Sequence, residues 1–346
     1  MSNLQIGLAI AGGVVLAAVV AHGAWTSRRS TPRQALPEPG VTQTTDQAIE
    51  PALTDAPFDS APFTALQLPR KPVMDSLIDV IATIALDAVH PSLAGEAALA
   101  AMPTTRRAGS KPFSIEGYNL MTHVWEVPVT GQRYGGFQAG VQLATRSGAL
   151  NEIEYSDFVV NTQAFADAIG ANPEFPDMLE EVARARELDH FASAHDAQLG
   201  FMVRAKNASW SPGFVHQCAA RQGFVAGSLP GRMVLPASAE GLPPLVVLSF
   251  DAQAALAEDP AQTAIREISL HLDVAQVPRD EAPFDRMRDV AQSLALSMEG
   301  VVTDDAGQAL PAQTLDTIRT ELQTLYDTLE GRDLAAGSPL ARRLFS

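Results

Sequence analysis

The chain has almost no cysteine: Cys218 stands alone in 346 residues, which excludes an internal disulfide and fits a reducing compartment. Positive charge is also scarce, 24 Lys and Arg against 40 Asp and Glu, for a formal charge of −16. The basic residues are scattered and form no stripe interleaved with aromatics, so nucleic acid is not an expected partner. The same acidic balance argues against the bulk of the protein lying on anionic lipid. No glycine pattern has the spacing of a dinucleotide or phosphate loop, since Gly131 to Gly140 precedes a strand where a phosphate cradle opens a helix, and it reads as a loop. No nucleophile-elbow motif occurs in a strand-turn-helix setting either.

Little suggests a metal or an acid-base pair. His190 and His195, beside Asp189 and Asp196, are five residues apart, which on one helix turns the rings about 140° away from each other. Glu152 with Glu154, and Asp304 with Asp305, read as a solvated strand edge and a turn, with no neighbour to shift a pKa. Cys218 shares a helix face with Phe214 and Ala219 and reads as a small core residue. The expectation is a binding protein, not an enzyme, with no cofactor and no metal.

What is present begins with Ile6 to Trp25, twenty uncharged residues with His22 the single weakly polar side chain. That length crosses about 30 Å of hydrocarbon as a helix. Ala21-His22-Gly23 loosely resembles a signal-peptidase site. Met1 to Gln5 carries no basic residue, however, while Arg28, Arg29 and Arg33 follow the span, and positive charge holds that end in the cytoplasm. An uncleaved anchor with cytoplasmic C-terminal domains is the expectation.

Five segments follow from composition and periodicity: an anchor at 1–29, a linker at 30–71, a middle module at 72–194, a C-terminal module at 195–331 and a tail at 332–346. The linker carries Pro32, Pro37, Pro39, Pro51, Pro57, Pro62 and Pro69 among few branched apolar residues. In the middle module Ile78, Val80, Ile84 and Leu86 alternate, a short helix is expected from Ala94 to Met102, and Phe113–Tyr118 and His123–Val127 read as strands. Phe137, Ala139, Val141 and Leu143 alternate, Leu150–Tyr155 continues the strand pattern, and Ser156 is the expected cap of a helix ending at Gly170. A second helix is expected from about Pro176 to Phe191.

In the C-terminal module Leu199, Phe201 and Val203 mark a strand, Ser211-Pro212 starts a helix that Gly223 stops, and Arg232–Leu235 and Leu245–Asp251 are strands. Ile268, Leu270, Leu272 and Val274 alternate with Glu267, Ser269, His271 and Asp273, placing one sheet face on a core and leaving the other accessible. Phe284 to Met298 is a core-facing helix, Gly300–Thr303 a strand, and Leu315, Ile318, Leu322, Leu325 and Leu329 form one helical stripe. The order predicts α+β: two modules of mainly antiparallel sheet covered by helices on one face. The order of the two modules is parallel enough for an ancient duplication, without a residue-level repeat. The tail from Asp333 to Ser346 reads as a frayed end.

The anchor's exit, Val20-Ala21-His22-Gly23-Ala24-Trp25-Thr26-Ser27-Arg28-Arg29, resembles that of the ZipA family of bacterial division proteins. So do Arg221-Gln222-Gly223-Phe224-Val225-Ala226-Gly227, Leu270-His271-Leu272-Asp273-Val274 and Gly300-Val301-Val302-Thr303-Asp304-Asp305, in that order. The resemblance covers roughly Leu4 to Arg29 and His195 to Leu329; the folded middle module departs from the family, which usually has a long disordered linker there. It implies a tether in the inner membrane whose C-terminal domain takes the C-terminal peptide of FtsZ in a shallow groove on the uncovered sheet face. The outward positions are then expected to be Met202, Leu229, Met233, Leu245, Val247, Ser249, Ser269 and His271. Ser249, Ser269 and His271 stand where the family tends to have larger apolar or basic side chains. A membrane-anchored scaffold for another envelope protein, and a tethered hydrolase with a dispersed site, are the alternatives.

Overall fold

A computed structural model describes residues 32–35, 74–239, 241–257, 259 and 263–346. The expected span at Ile6–Trp25 and most of the linker lie outside them. Among the described residues no helix is long and apolar enough to cross a membrane. The chain divides into two compact units, one of 74–196 with 339–346 and the other of 197–338 with 32–35.

The first unit runs β1 (Asp79–Ala85), α1 (Gly95–Ala101), β2 (Lys111–Asn119), β3 (Arg133–Gln142), α2 (Glu152–Ile169), β4 (Asn172–Glu174) and α3 (Met178–His195). Its antiparallel sheet has the order Arg107–Ala108, β2, β3, β1, β4, with two-residue strands at Leu93–Ala94 and Trp125–Glu126 on β3 and β2. Val80, Ala82 and Ile84 point into the core as their alternation requires. The rings of Phe137 and Phe113 meet those of Phe165 and Phe158 from α2 edge to face.

Two local expectations change. Leu150–Tyr155 is no strand: α2 starts at Glu152, with Asn151 as its cap. The Asn151 side chain accepts from the N–H groups of Ile153 and Glu154, both at 3.0 Å, and the Glu154 carboxylate accepts the Asn151 N–H at 3.3 Å. This reciprocal box outweighs a short alternating pattern because it satisfies backbone donors at the helix end. Gly131–Gly140 is not a loop throughout, since β3 begins at Arg133. Glycine belongs in this strand because a Cβ on Gly140 would lie 2.6 Å from the sulfur of Met74, which covers that face.

The tail is no frayed end. Pro339–Leu344 is a short helix of the first unit, with Ala341, Leu344 and Phe345 buried. Arg343 donates to both carboxylate oxygens of Asp79, at 2.5 and 2.9 Å, and its carbonyl accepts from Gln142. Asp79 is 2% exposed.

The second unit runs β5 (Gln198–Ala205), α4 (Pro212–Arg221), β6 (Arg232–Leu235), β7 (Val246–Ser249), β8 (Glu267–Asp273), α5 (Pro283–Ser297), β9 (Gly300–Thr303) and α6 (Ala312–Glu330). Ser211 caps α4 as its sequence predicts, its hydroxyl accepting from Phe214 with Pro212 next in line. The antiparallel sheet has the order Val225–Ala226, β6, β7, β8, β5, β9. Val203, Leu248, Leu270 and Leu272 face Val215, Met287, Leu294 and Met298 in one core. Both units are α+β and share a topology: the last meander strand lies beside the first strand, and a short strand after the next helix pairs with the first strand's other edge.

Candidate functional site

The outer face of the second sheet follows from its registers. Val246, Leu248, Ile268, Leu270 and Leu272 are buried, so the residues between them face away from the core. The ladders align Val225, Val234, Val247, His271 and Gly200 in one row across five strands. Arg232, Ser249, Ser269, Met202 and Thr303 form the next, and Glu267, Arg204 and Val301 a third. The first row begins with three valines and ends at Gly200, whose missing side chain leaves space bordered by the His271 ring and the Asp305 carboxylate.

Beside the valines the surface dips into an open depression of about 460 Å³. Met202, Ser249 and Ser269 form its floor, and Phe250, Asp251 and the run Ala264–Glu267 its wall. The Ser269 hydroxyl donates to the Ser249 carbonyl at 3.2 Å, tying β7 to β8 under the floor. The His216 ring meets Phe250 edge-on at 5.6 Å and braces the wall; burial lowers the His216 pKa, so the imidazole is neutral at pH 7. Arg204 pairs with Glu267 at 3.3 Å at the rim. Apolar stripe, polar floor and mixed-charge rim make a surface suited to an extended peptide.

Of the residues expected to face outward, Met202, Ser249 and Ser269 meet in the depression, and Val247 and His271 lie in the adjoining row. Leu229 is 58% exposed but sits in the turn before β6, where its carbonyl accepts the Arg232 N–H. Met233 and Leu245 are corrections: both are core residues, 2% and 3% exposed. Met233 lies opposite Leu248, so it shares that residue's inward face, and the outward residues of β6 are Arg232 and Val234. Leu245 precedes β7, after Pro243-Pro244, and alternation does not extend to it. Val234 faces outward as the register partner of Val247, and that pairing is not written in the sequence. Phe250, Asp251 and Ile265 carry no such signal, being outside the strands.

Most of the groups that the sequence offers for chemistry are held in structural contacts. His195 stacks on Phe191 with centroids 4.3 Å apart, and Asp196 is gripped by Arg146 through both carboxylate oxygens. Glu154 caps a helix, Glu152 pairs with Arg186 at 2.8 Å, and Asp304 accepts the Gln308 N–H in its turn. Cys218 is buried, and burial pushes its thiol pKa up despite a hydrogen bond with Ser297. Among the described residues no cluster of His, Cys, Asp and Glu is arranged to hold a metal.

The second unit is thus a helix-backed antiparallel sheet with an open, partly apolar outer face. Residues 250–321 match the family model of ZipA, C-terminal FtsZ-binding domain, a binding domain of cell division and not an enzyme family. The match includes β8, α5, β9 and the wall and part of the floor of the depression, with Ser269 and His271 inside it and Met202, Leu229, Val247 and Ser249 outside. It bears out the ZipA resemblance of the C-terminal module. No curated protein matches the chain.

Proposed function

We propose that the protein is a division tether whose second unit binds the C-terminal peptide of FtsZ on the outer sheet face. The row Val225–Val234–Val247 receives the peptide's apolar side chains, and the depression floored by Met202, Ser249 and Ser269 takes its adjoining turn. The match of residues 250–321 to an FtsZ-binding domain carries this reading, supported by the apolar row on an open face. The twenty uncharged residues of Ile6–Trp25, followed by Arg28 and Arg29, are the proposed anchor in the bacterial inner membrane, with both units in the cytoplasm.

The test is titration of a labelled FtsZ C-terminal peptide into the full chain in detergent, wild type against Val247→Glu. The expected result is at least a tenfold loss of affinity with the fold intact, because an exposed substitution changes stability by about 0.5 kcal/mol whereas a desolvated contact is worth about 2 kcal/mol. Equal affinities rule out this face, and no binding by the wild type sinks the FtsZ reading.

A further inference from the structure

Pro32–Ala35 belongs in sequence to the proline-rich linker, yet it is built into the second unit. Trp210 is fully buried, its indole N–H donating to the Met298 carbonyl at 2.8 Å. On one side its backbone exchanges two 2.8 Å hydrogen bonds with Ile265. On the other, Arg33 makes a parallel bridge: its N–H donates to the Ser209 carbonyl at 2.7 Å, and its carbonyl accepts the Ser211 N–H at 2.9 Å. Pro32 is buried, and the Arg33 guanidinium reaches Glu299 at 2.5 Å. The occupant is thus held by two backbone bonds, an ion pair and a buried ring. Arg33 is consequently spent on the protein, leaving Arg28 and Arg29 as the basic residues expected beside the lipid.

We propose that the backbone edge at Ser209–Ser211 is a docking slot for the segment just after the membrane anchor, and that this clamp sets how far the peptide-binding sheet stands from the bilayer. Pro32 lies seven positions beyond Trp25, and an extended chain covers at most about 3.5 Å per position, so the slot is held within about 25 Å of the end of the span. Without the clamp, the path from the anchor to Gln198 runs through the rest of the linker and the whole first unit. With it, residues 36–196 are an excursion that leaves the second unit and returns to it, and the proline-rich stretch no longer determines reach. The spacing rests on the anchor of the proposed function; the clamp itself does not.

Two measurements on the full chain separate these parts. In hydrogen exchange, the Ser211 amide is expected to be protected in the wild type and to exchange about tenfold faster or more in Arg33→Pro, which deletes the N–H given to Ser209. Arg33→Glu keeps that N–H but sets a carboxylate against Glu299, and is expected to fall between the two. Equal exchange of Ser211 in all three proteins overturns the clamp. In anionic liposomes, energy transfer from labelled lipid headgroups to a dye on Leu296→Cys, a site 85% exposed, is expected to be high in the wild type and to fall in Arg33→Pro. Cys218 is buried and does not compete for the dye. Equal transfer in the two overturns the spacing role. A chain that fails to float with the liposomes overturns the anchor, and with it the spacing, while the exchange result still decides the clamp.

Discussion

The two sheets share a topology and differ in what lies on their outer faces. Aligning the first strands places the row Ile81–Gly140–Ser114 of the first unit against Gly200–His271–Val247 of the second, and Thr83–Gln138–Glu116 against Met202–Ser269–Ser249. In the first unit the chain itself covers part of this face, over Gly140 and Glu116, while Thr83 stays exposed. Met74 lies over Gly140 and donates its N–H to the fully buried Glu116, which also accepts from Gln138. The C-terminal helix closes the next row through Arg343 on Asp79 and Gln142. In the second unit the equivalent rows carry Gly200, His271, Val247, Met202 and two serines, and among the described residues no segment lies over Gly200 as Met74 lies over Gly140. A shared fold therefore does not make the two faces alike; the residues and segments on each face do that.

The largest expected effect comes from putting a charge on the wrong side of the open sheet. Met233→Glu buries a carboxylate among Leu248 and its neighbours and should cost more than about 4 kcal/mol, unfolding the second unit. Circular dichroism would show it, whereas Val247→Glu on the opposite face should melt like the wild type.

Next is the cover on the first unit. Arg343→Ala leaves the Asp79 carboxylate buried without its cation and should cost about 3 kcal/mol at neutral pH. Exchange of the β1 and β3 amides should accelerate while β7 and β8 are unchanged. Burial raises the Asp79 pKa and Arg343 opposes that rise. A carboxyl whose folded pKa is raised costs stability as pH climbs from its unfolded value, about 3.9, through the folded one, so the variant's deficit should be smallest near pH 4. A deficit independent of pH would show that Asp79 is not its source.

Smaller effects distinguish the equivalent positions Gly140 and His271. Gly140→Val must displace Met74 and should destabilise the first unit by about 2 kcal/mol. His271→Val should stay within about 0.5 kcal/mol of wild type in urea unfolding and act on peptide affinity instead. Similar stabilities for the two variants would break the comparison.

An effect smaller than that of Gly140→Val is expected at the cap of α2. Burial disfavours the charged form of Glu154, but hydrogen bonds from the Ser110 hydroxyl and N–H, the nearby Lys111 charge and the Asn151 N–H outweigh it, and the pKa is lowered. Its contribution is present above the unfolded value, about 4.3, and is lost as pH falls through the lower folded pKa. Glu154→Gln should therefore cost about 1 kcal/mol at pH 7 and progressively less in acid.

By itself, the sequence determined the local architecture. Alternation marked β1, β5 and β8, the Ser211-Pro212 pair opened α4, and the leucine stripe from Leu315 to Leu329 lies within α6, because strand and helix periodicity and capping are encoded within a few residues. It also placed Val247 and Ser269 on the outer face, since each stands between buried neighbours. The tertiary structure alone decided the face of Met233, which rests on the register with Leu248, and the burial of Leu245, which alternation did not reach. It alone decided that Met74 and Arg343 cover part of one sheet, through contacts that span 42 and 264 positions of the chain, and that Arg33 lies against Trp210. Such contacts depend on which distant segments meet once both cores have formed, and no periodicity along the chain records that meeting.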